Sequence, residues 1–294
     1  MIAASTLGNP SVLALFAAFM FGLALVLTQF GLRRCASPLH GALVSIPTAA
    51  AFLWILAPLL LDWRNLSPVA AVIFAAVGLF FPATVTLLTF EANRQMGPSV
   101  SGALANLSPL FAVLSAMIFL HDAPSPLQAF GMGAIIVGVL MLSMDRRWLG
   151  VSWSYWAVAL PIGAAAIRGF THPITKLGLA AWPNPFAATL IGYTVSGVVV
   201  ASIVTARPAG RLPEYDRAGL LWFAFVGICN SVGVLALYDA LARGSILVVS
   251  PLVATYPLVT VGLTAALFRS VQTSTAVLAG VVTTVAGVIF LIAA

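Results

Sequence analysis

The sequence predicts an all-α membrane protein of ten transmembrane helices arranged as two inverted five-helix repeats. Three observations carry that expectation: a composition only lipid can solvate, apolar runs of bilayer length, and an internal repeat. Of 294 residues, 62% are hydrophobic and 7% are charged, with a mean hydropathy of +1.11. Helices apolar on every face cannot be presented to water, so these runs require lipid around them.

At 1.5 Å per residue, a hydrocarbon core of about 30 Å calls for about 20 apolar residues per crossing. Charges, prolines and glycines cut the chain into ten such segments, at about 12–32, 38–61, 67–90, 98–120, 125–144, 153–175, 184–205, 218–238, 246–268 and 272–293. Pro38, Pro68, Pro98, Pro126 and Pro185 stand near segment starts, where a missing amide proton costs least. The connections are short, and the longest, around 207–217, is a polar linker holding Pro208 and Pro213. Met1–Pro10 lacks the basic region that opens a cleavable signal, so the first apolar run is expected to be retained.

The repeat emerges from three nearly equal offsets taken in order along the chain. A shift of 147 places Gly22, Thr28, Gln29 and Pro38 on Gly169, Thr175, Lys176 and Pro185. A shift of 148 lays Phe90, Glu91, Ala92 and Pro109 over Tyr238, Asp239, Ala240 and Pro257, with Gly78 near Gly227. At 149, Gly131 and Gly138 land on Gly280 and Gly287. The halves, 1–150 and 151–294, each hold five spans. An odd number forces the second half to enter from the opposite side, which is the inverted geometry that supports alternating access in secondary transporters.

Basic residues orient the chain. Arg33, Arg34, Arg94, Arg146, Arg147, Arg207, Arg211, Arg217 and Arg269 lie on the side of the odd-to-even connections, against Arg64, Lys176 and Arg243 on the other. The positive-inside rule then puts the odd-to-even connections in the cytoplasm and both termini outside. The same scatter, with no basic stripe, speaks against a nucleic-acid partner despite a formal charge of +6. Cys35 and Cys229, and His40, His121 and His172, show no metal-ligand spacing, so neither a metal nor a cofactor is expected. No Walker A loop, HExxH motif or nucleophile set points to an enzyme or a nucleotide-driven pump.

Among the charged residues, Arg168 alone lies well inside an apolar segment. Insertion of such a group costs at least about 2.5–3.5 kcal/mol unless a wet cavity or a partner receives it. The functional reading is a contact to a carboxylate or another anion in a central cavity; the structural one is a guanidinium paired with helix-end carbonyls. His172 and Lys176 follow at successive turns of the same face. Structurally, Lys176 would snorkel to the surface and His172 would hydrogen-bond a carbonyl exposed by Pro173. Glu91 and Asp239 are equivalent in the repeat, and Arg94 and Arg243 follow at ion-pair spacings, so both acids are expected as end anchors rather than proton carriers. The remaining polar residues inside spans are Thr28, Gln29, Thr84, Asn106, Ser108, Tyr193, Asn230, Tyr238, Thr255 and Tyr256. Asn106 with Ser108 before Pro109, and Thr255 with Tyr256 before Pro257, stand out because a proline frees a carbonyl that can line a cavity.

The paired helices ending in Gly22–Gln29 and Gly169–Lys176, the stretches SGALANLSPLF at 101–111 and VSPLVATYPLV at 249–259, and the Gly-x6-Gly closing helices together resemble the EamA-like ten-helix branch of the drug/metabolite transporter superfamily. The resemblance covers essentially the whole chain. It implies a multi-pass protein of a bacterial inner membrane that exports small polar metabolites such as amino acids, and a fifth and tenth span outside the transport cavity, available for a homodimer. It also implies cytoplasmic termini, opposite to the basic-residue count. Members commonly carry a Glu just after the fourth span of a half; here His121 and Asp122, and later Arg269, stand there. A proton-coupled antiporter of drugs or organic cations, and a membrane scaffold without flux, are the alternative functions. The residues expected around the substrate are Arg168, His172, Gln29, Thr28, Asn106, Ser108, Tyr238, Thr255, Tyr256 and Asn230.

Overall fold

The computed structural model describes residues 8–34, 38–62, 66–96, 104–143, 154–205, 216–268 and 275–293, and every regular element among them is helical. In chain order these are α1 (Pro10–Arg34), α2 (Pro38–Leu60), α3 (Pro68–Phe80), α4 (Ala83–Met96), α5 (Ser108–Phe119) and α6 (Pro126–Ser143). The second half contributes α7 (Tyr155–Ala181), α8 (Pro185–Thr205), α9 (Arg217–Arg243), α10 (Ile246–Val253), α11 (Tyr256–Phe268) and α12 (Thr275–Ala293). Pro38, Pro68, Pro126 and Pro185 each open a helix as expected; Pro98 lies outside the described residues. Ser67, Asp216 and Ser245 cap α3, α9 and α10 by accepting the amides of Ala70, Ala218 and Leu247.

Among the described residues six stretches are both long and apolar enough to cross a membrane: Pro10–Arg34, Leu39–Leu60, Pro68–Ala92, Pro185–Ile203, Arg217–Arg243 and Ile246–Leu263. Ser108–Phe119, Pro126–Met141 and Leu278–Ala293 are shorter apolar helices. At 27 residues α7 is long enough to span, about 40 Å at 1.5 Å per residue, but Arg168, His172 and Lys176 make it less apolar. Large apolar side chains such as Ile55, Leu59, Val69, Val72, Trp156 and Val282 are exposed. A surface of that kind is solvated by acyl chains, so the protein is integral and multi-pass.

The third span, expected as one helix, is broken at Phe81–Pro82, a cis peptide bond. Pro82 has no N–H to offer the Gly78 carbonyl. Ser196 of α8 fills the gap: its hydroxyl donates to Gly78 O at 2.6 Å, and its oxygen accepts from Ala83 N at 3.2 Å. The fourth and ninth spans are also interrupted, at Asn106–Leu107 and at Ala254–Thr255, three residues ahead of Pro109 and Pro257 and related by the repeat offset. The third span breaks in the first half only, since its counterpart α9 is continuous.

The packing between the halves is two-fold symmetric. Contact of α1 with α9 is mirrored by contact of α7 with α3 and α4, α2 with α9 by α8 with α3, and α1 with α10 and α11 by α7 with α5. Glycines mark the closest approaches. A Cβ built on Gly22 would lie 2.7 Å from Val259 Cβ, and one on its equivalent Gly169 would lie 2.5 Å from Phe111 Cβ. Small residues let membrane helices approach this closely. The self-equivalent pairs run antiparallel. Gly131 meets Gly287 and Leu291 while Gly138 meets Gly280 and Thr284, and Trp54 meets Thr194 while Asp62 meets Asn184. Equivalent helices that pair antiparallel can only be exchanged by an axis across them, so the two repeats are inverted.

Candidate functional site

The interruptions in the third, fourth and ninth spans all face one cavity of about 160 Å³ between the repeats. Its wall draws on α1, α2, α4, α5, α7, α8, α9, α10 and the first residue of α11, Tyr256, with Phe81, Pro82, Ala105, Asn106 and Ala254 from the breaks, and on neither α6 nor α12. It has room for several water molecules, or for one small metabolite.

Seven of the ten residues expected around the substrate line it: Arg168, His172, Thr28, Asn106, Ser108, Asn230 and Tyr256. Tyr193, from the wider polar set, lines it too. The other three do not. Gln29 is half-buried off the wall. Thr255 is buried in the break of the ninth span, its hydroxyl spent on Leu252 O at 2.7 Å. Tyr238 is buried beside Tyr193, behind the wall. Ser45, Thr86, Thr89 and Ser250 are wall residues the sequence did not single out. Thr86 and Thr89 sit three apart on α4, and that spacing puts them on one helix face.

The polar chemistry of the wall is unsaturated. Among the described residues, both nitrogens of His172, both side-chain polar atoms of Asn106, and the hydroxyls of Thr89 and Ser250 are buried without a protein partner. Unpaired buried groups cost about 1–3 kcal/mol each, so a cavity lined by four of them is built for a polar occupant. The expected bond from His172 to a carbonyl freed by Pro173 is absent: that carbonyl, Gly169 O, accepts instead from Ser115 Oγ at 3.2 Å. Arg168 is half-buried on the wall, and among the described residues no carboxylate pairs with its guanidinium. Among the described residues the wall includes no Asp or Glu.

Charges elsewhere close the ends of the bundle. Lys176 does not snorkel outward: its ammonium donates to Gly244 O at the C-terminus of α9, where the helix dipole favours a cation, and Asp122 lies close enough to act on it. Arg243 grips Asp239 through two hydrogen bonds, Nε to Oδ1 at 2.7 Å and Nη2 to Oδ2 at 3.2 Å. Glu91 accepts from Gln95 at 2.6 Å, while the Arg94 side chain lies outside the described ones. At the end that holds Glu91, opposite Lys176 and Arg243, Arg34 pairs with Asp216 at 3.2 Å. No group of three metal-ligating side chains occurs among the described residues.

A polar-lined central cavity between two helical repeats is an architecture that membrane transporters use. A sequence profile of the EamA-like transporter family matches residues 10–144 and again 155–293, one match to each half, and the chain belongs to that family. No curated protein matches the chain. One solved crystal structure, titled only as that of a protein, superposes with a TM-score of 0.74 over 96% of this chain and 95% of its own. At 16% identity this is a likeness of fold.

Proposed function

We propose that this protein is a ten-span secondary transporter that moves small carboxylate-bearing metabolites, such as amino acids, out across a bacterial inner membrane. Alternating access between the inverted repeats would carry the solute. The observation that supports this most is Arg168: a guanidinium on the cavity wall, with no carboxylate to neutralise it among the described residues. A guanidinium holds a carboxylate through two parallel hydrogen bonds, a geometry an ammonium does not reproduce. The same wall disfavours an organic cation, which would meet one positive charge and no negative one.

The test is reconstitution of the purified protein with a panel of labelled amino acids and organic acids. Saturable flux accelerated by unlabelled solute on the far side is expected. Arg168→Lys should weaken apparent affinity about tenfold to a hundredfold, the loss of one charge-assisted hydrogen bond of about 1.5–3 kcal/mol. Arg168→Ala should lose nearly all flux while the protein still inserts. Non-saturating conductance, or wild-type flux through folded Arg168→Ala, would refute the reading.

A further inference from the structure

We infer that the backbone carbonyls of Ala105 and Val253 form a paired subsite for a substrate ammonium group, making the cavity selective for zwitterions over plain carboxylates. The inference rests on the transport reading above and adds the second pole of the solute.

In a continuous helix these two carbonyls would accept from residues 109 and 257. Both of those are proline and have no N–H to give. Ala105 and Val253 are separated by the 148-residue offset, so the two freed acceptors are symmetry equivalents, each at the interruption of its span. Both residues belong to the cavity wall, and both are buried, at 3% and 7% exposure. Next to Ala105 is Asn106, 3% exposed, whose Oδ1 is unpartnered and adds a third neutral acceptor. Val253 also ends α10, the negative pole of a short helix.

Buried carbonyls without donors must be satisfied by something that brings protons. An ammonium offers three, in an arrangement that neutral oxygens at a helix break can surround. Arg168, on the same wall, supplies the complementary donors for a carboxylate. The cavity is therefore bipolar without an acid among its described residues. Its recognition of the amine comes from main-chain dipoles, which are fixed by proline placement and invisible to a search for charged side chains.

The experiment uses the full-length protein in proteoliposomes. Counterflow of the best-transported L-amino acid is challenged with the same amino acid and with the carboxylic acid lacking only its 2-amino group. The deaminated compound should compete at least tenfold more weakly, because a site built to hydrogen-bond a group rejects the analogue that lacks it. Pro109→Ala and Pro257→Ala each give one carbonyl an amide donor; in either variant that amine preference should shrink several-fold while competition by the deaminated acid is unchanged. Thermal unfolding in detergent checks that each variant is folded. Equal competition by the two compounds in unmodified protein overturns the inference and leaves the transport reading intact. So does an undiminished amine preference in folded proline variants, which would remove the carbonyls from the subsite. Absence of flux for every amino acid and acid overturns both.

Discussion

Gly169→Ala tests whether the contact beneath Arg168 sets the cavity's geometry. The added methyl would lie 2.5 Å from Phe111 Cβ, 2.7 Å from Ala112 N and 2.8 Å from the Phe111 carbonyl carbon. Ordinary carbon contacts are about 3.5–4.0 Å. Two of the three neighbours are backbone, so no rotamer change relieves them, and α5 must retreat from α7 by about 1 Å. Overpacking of this kind costs about 1–3 kcal/mol, offset by about 1 kcal/mol of helix propensity gained over glycine. The net is a destabilisation of up to about 2 kcal/mol, read as a drop of a few degrees in unfolding temperature in detergent. The same retreat stretches the bond from Ser115 Oγ to Gly169 O, 3.2 Å in the native packing, and displaces the adjacent guanidinium. Apparent substrate affinity should fall with stability. The equivalent Gly22→Ala should be somewhat milder, because its near contacts, at 2.7, 2.8 and 2.9 Å, are each longer and the last, with Val259 Cγ1, can rotate away. If Gly169→Ala unfolds at or above the native temperature and transports normally, the close approach of α5 and α7 does not position the site.

Three further outcomes are expected. With native cysteines replaced, Trp148→Cys should label from the cytoplasm and Ile292→Cys from outside; labelling of both from one side would refute the alternation of spans. Because the cavity wall holds no acid among the described residues, an imposed pH gradient should drive little net accumulation, and Asp239→Asn should leave uptake by exchange intact; robust accumulation abolished by that change would make Asp239 a proton carrier. Lys176→Met removes the donor to Gly244 O and should speed opening at that end, raising accessibility of a cysteine at Gly244 to a membrane-impermeant thiol reagent; unchanged accessibility would show the bond holds nothing shut.

Much of this was legible because the signals are local. Apolar run length depends on bilayer thickness, and Pro109 and Pro257 announce their interruptions through the donor each lacks. The ion pair of Asp239 with Arg243 follows from helical spacing alone. The break at Pro82 was harder to foresee, since proline is tolerated inside α2 at Pro47 and Pro58 and inside α7 at Pro161 and Pro173. What stabilises the break is Ser196, more than a hundred residues away, and no local pattern encodes that partner. The same limit governs the wall. Thr89 and Ser250 face the cavity while Gln29 and Tyr238 do not, because the face a helix presents is chosen by its neighbours. Thr255 misled for a related reason: the proline-linked break it belongs to also captures its hydroxyl.

The repeat explains where the cavity is, and the departures from it explain how a solute would lie there. Shifting Arg168 and His172 by 147 residues gives Phe21 and Leu25, and all four are wall residues. The wall is thus symmetric in position and opposite in chemistry, with a guanidinium and an imidazole on α7 facing an aromatic and an aliphatic side chain on α1. Phe90 and Phe81 add to the apolar surface, whereas Ala105 and Val253 keep the symmetry in their main chain. A solute with a charged end and an apolar end then has one favourable orientation, charge toward α7 and apolar group toward α1. Under the alternating access proposed above, inversion of the repeats would make both facing states available, and the side-chain asymmetry means the solute would meet the same polar pole in each. Alternation between the two states then requires the helices to move around a solute that need not turn over.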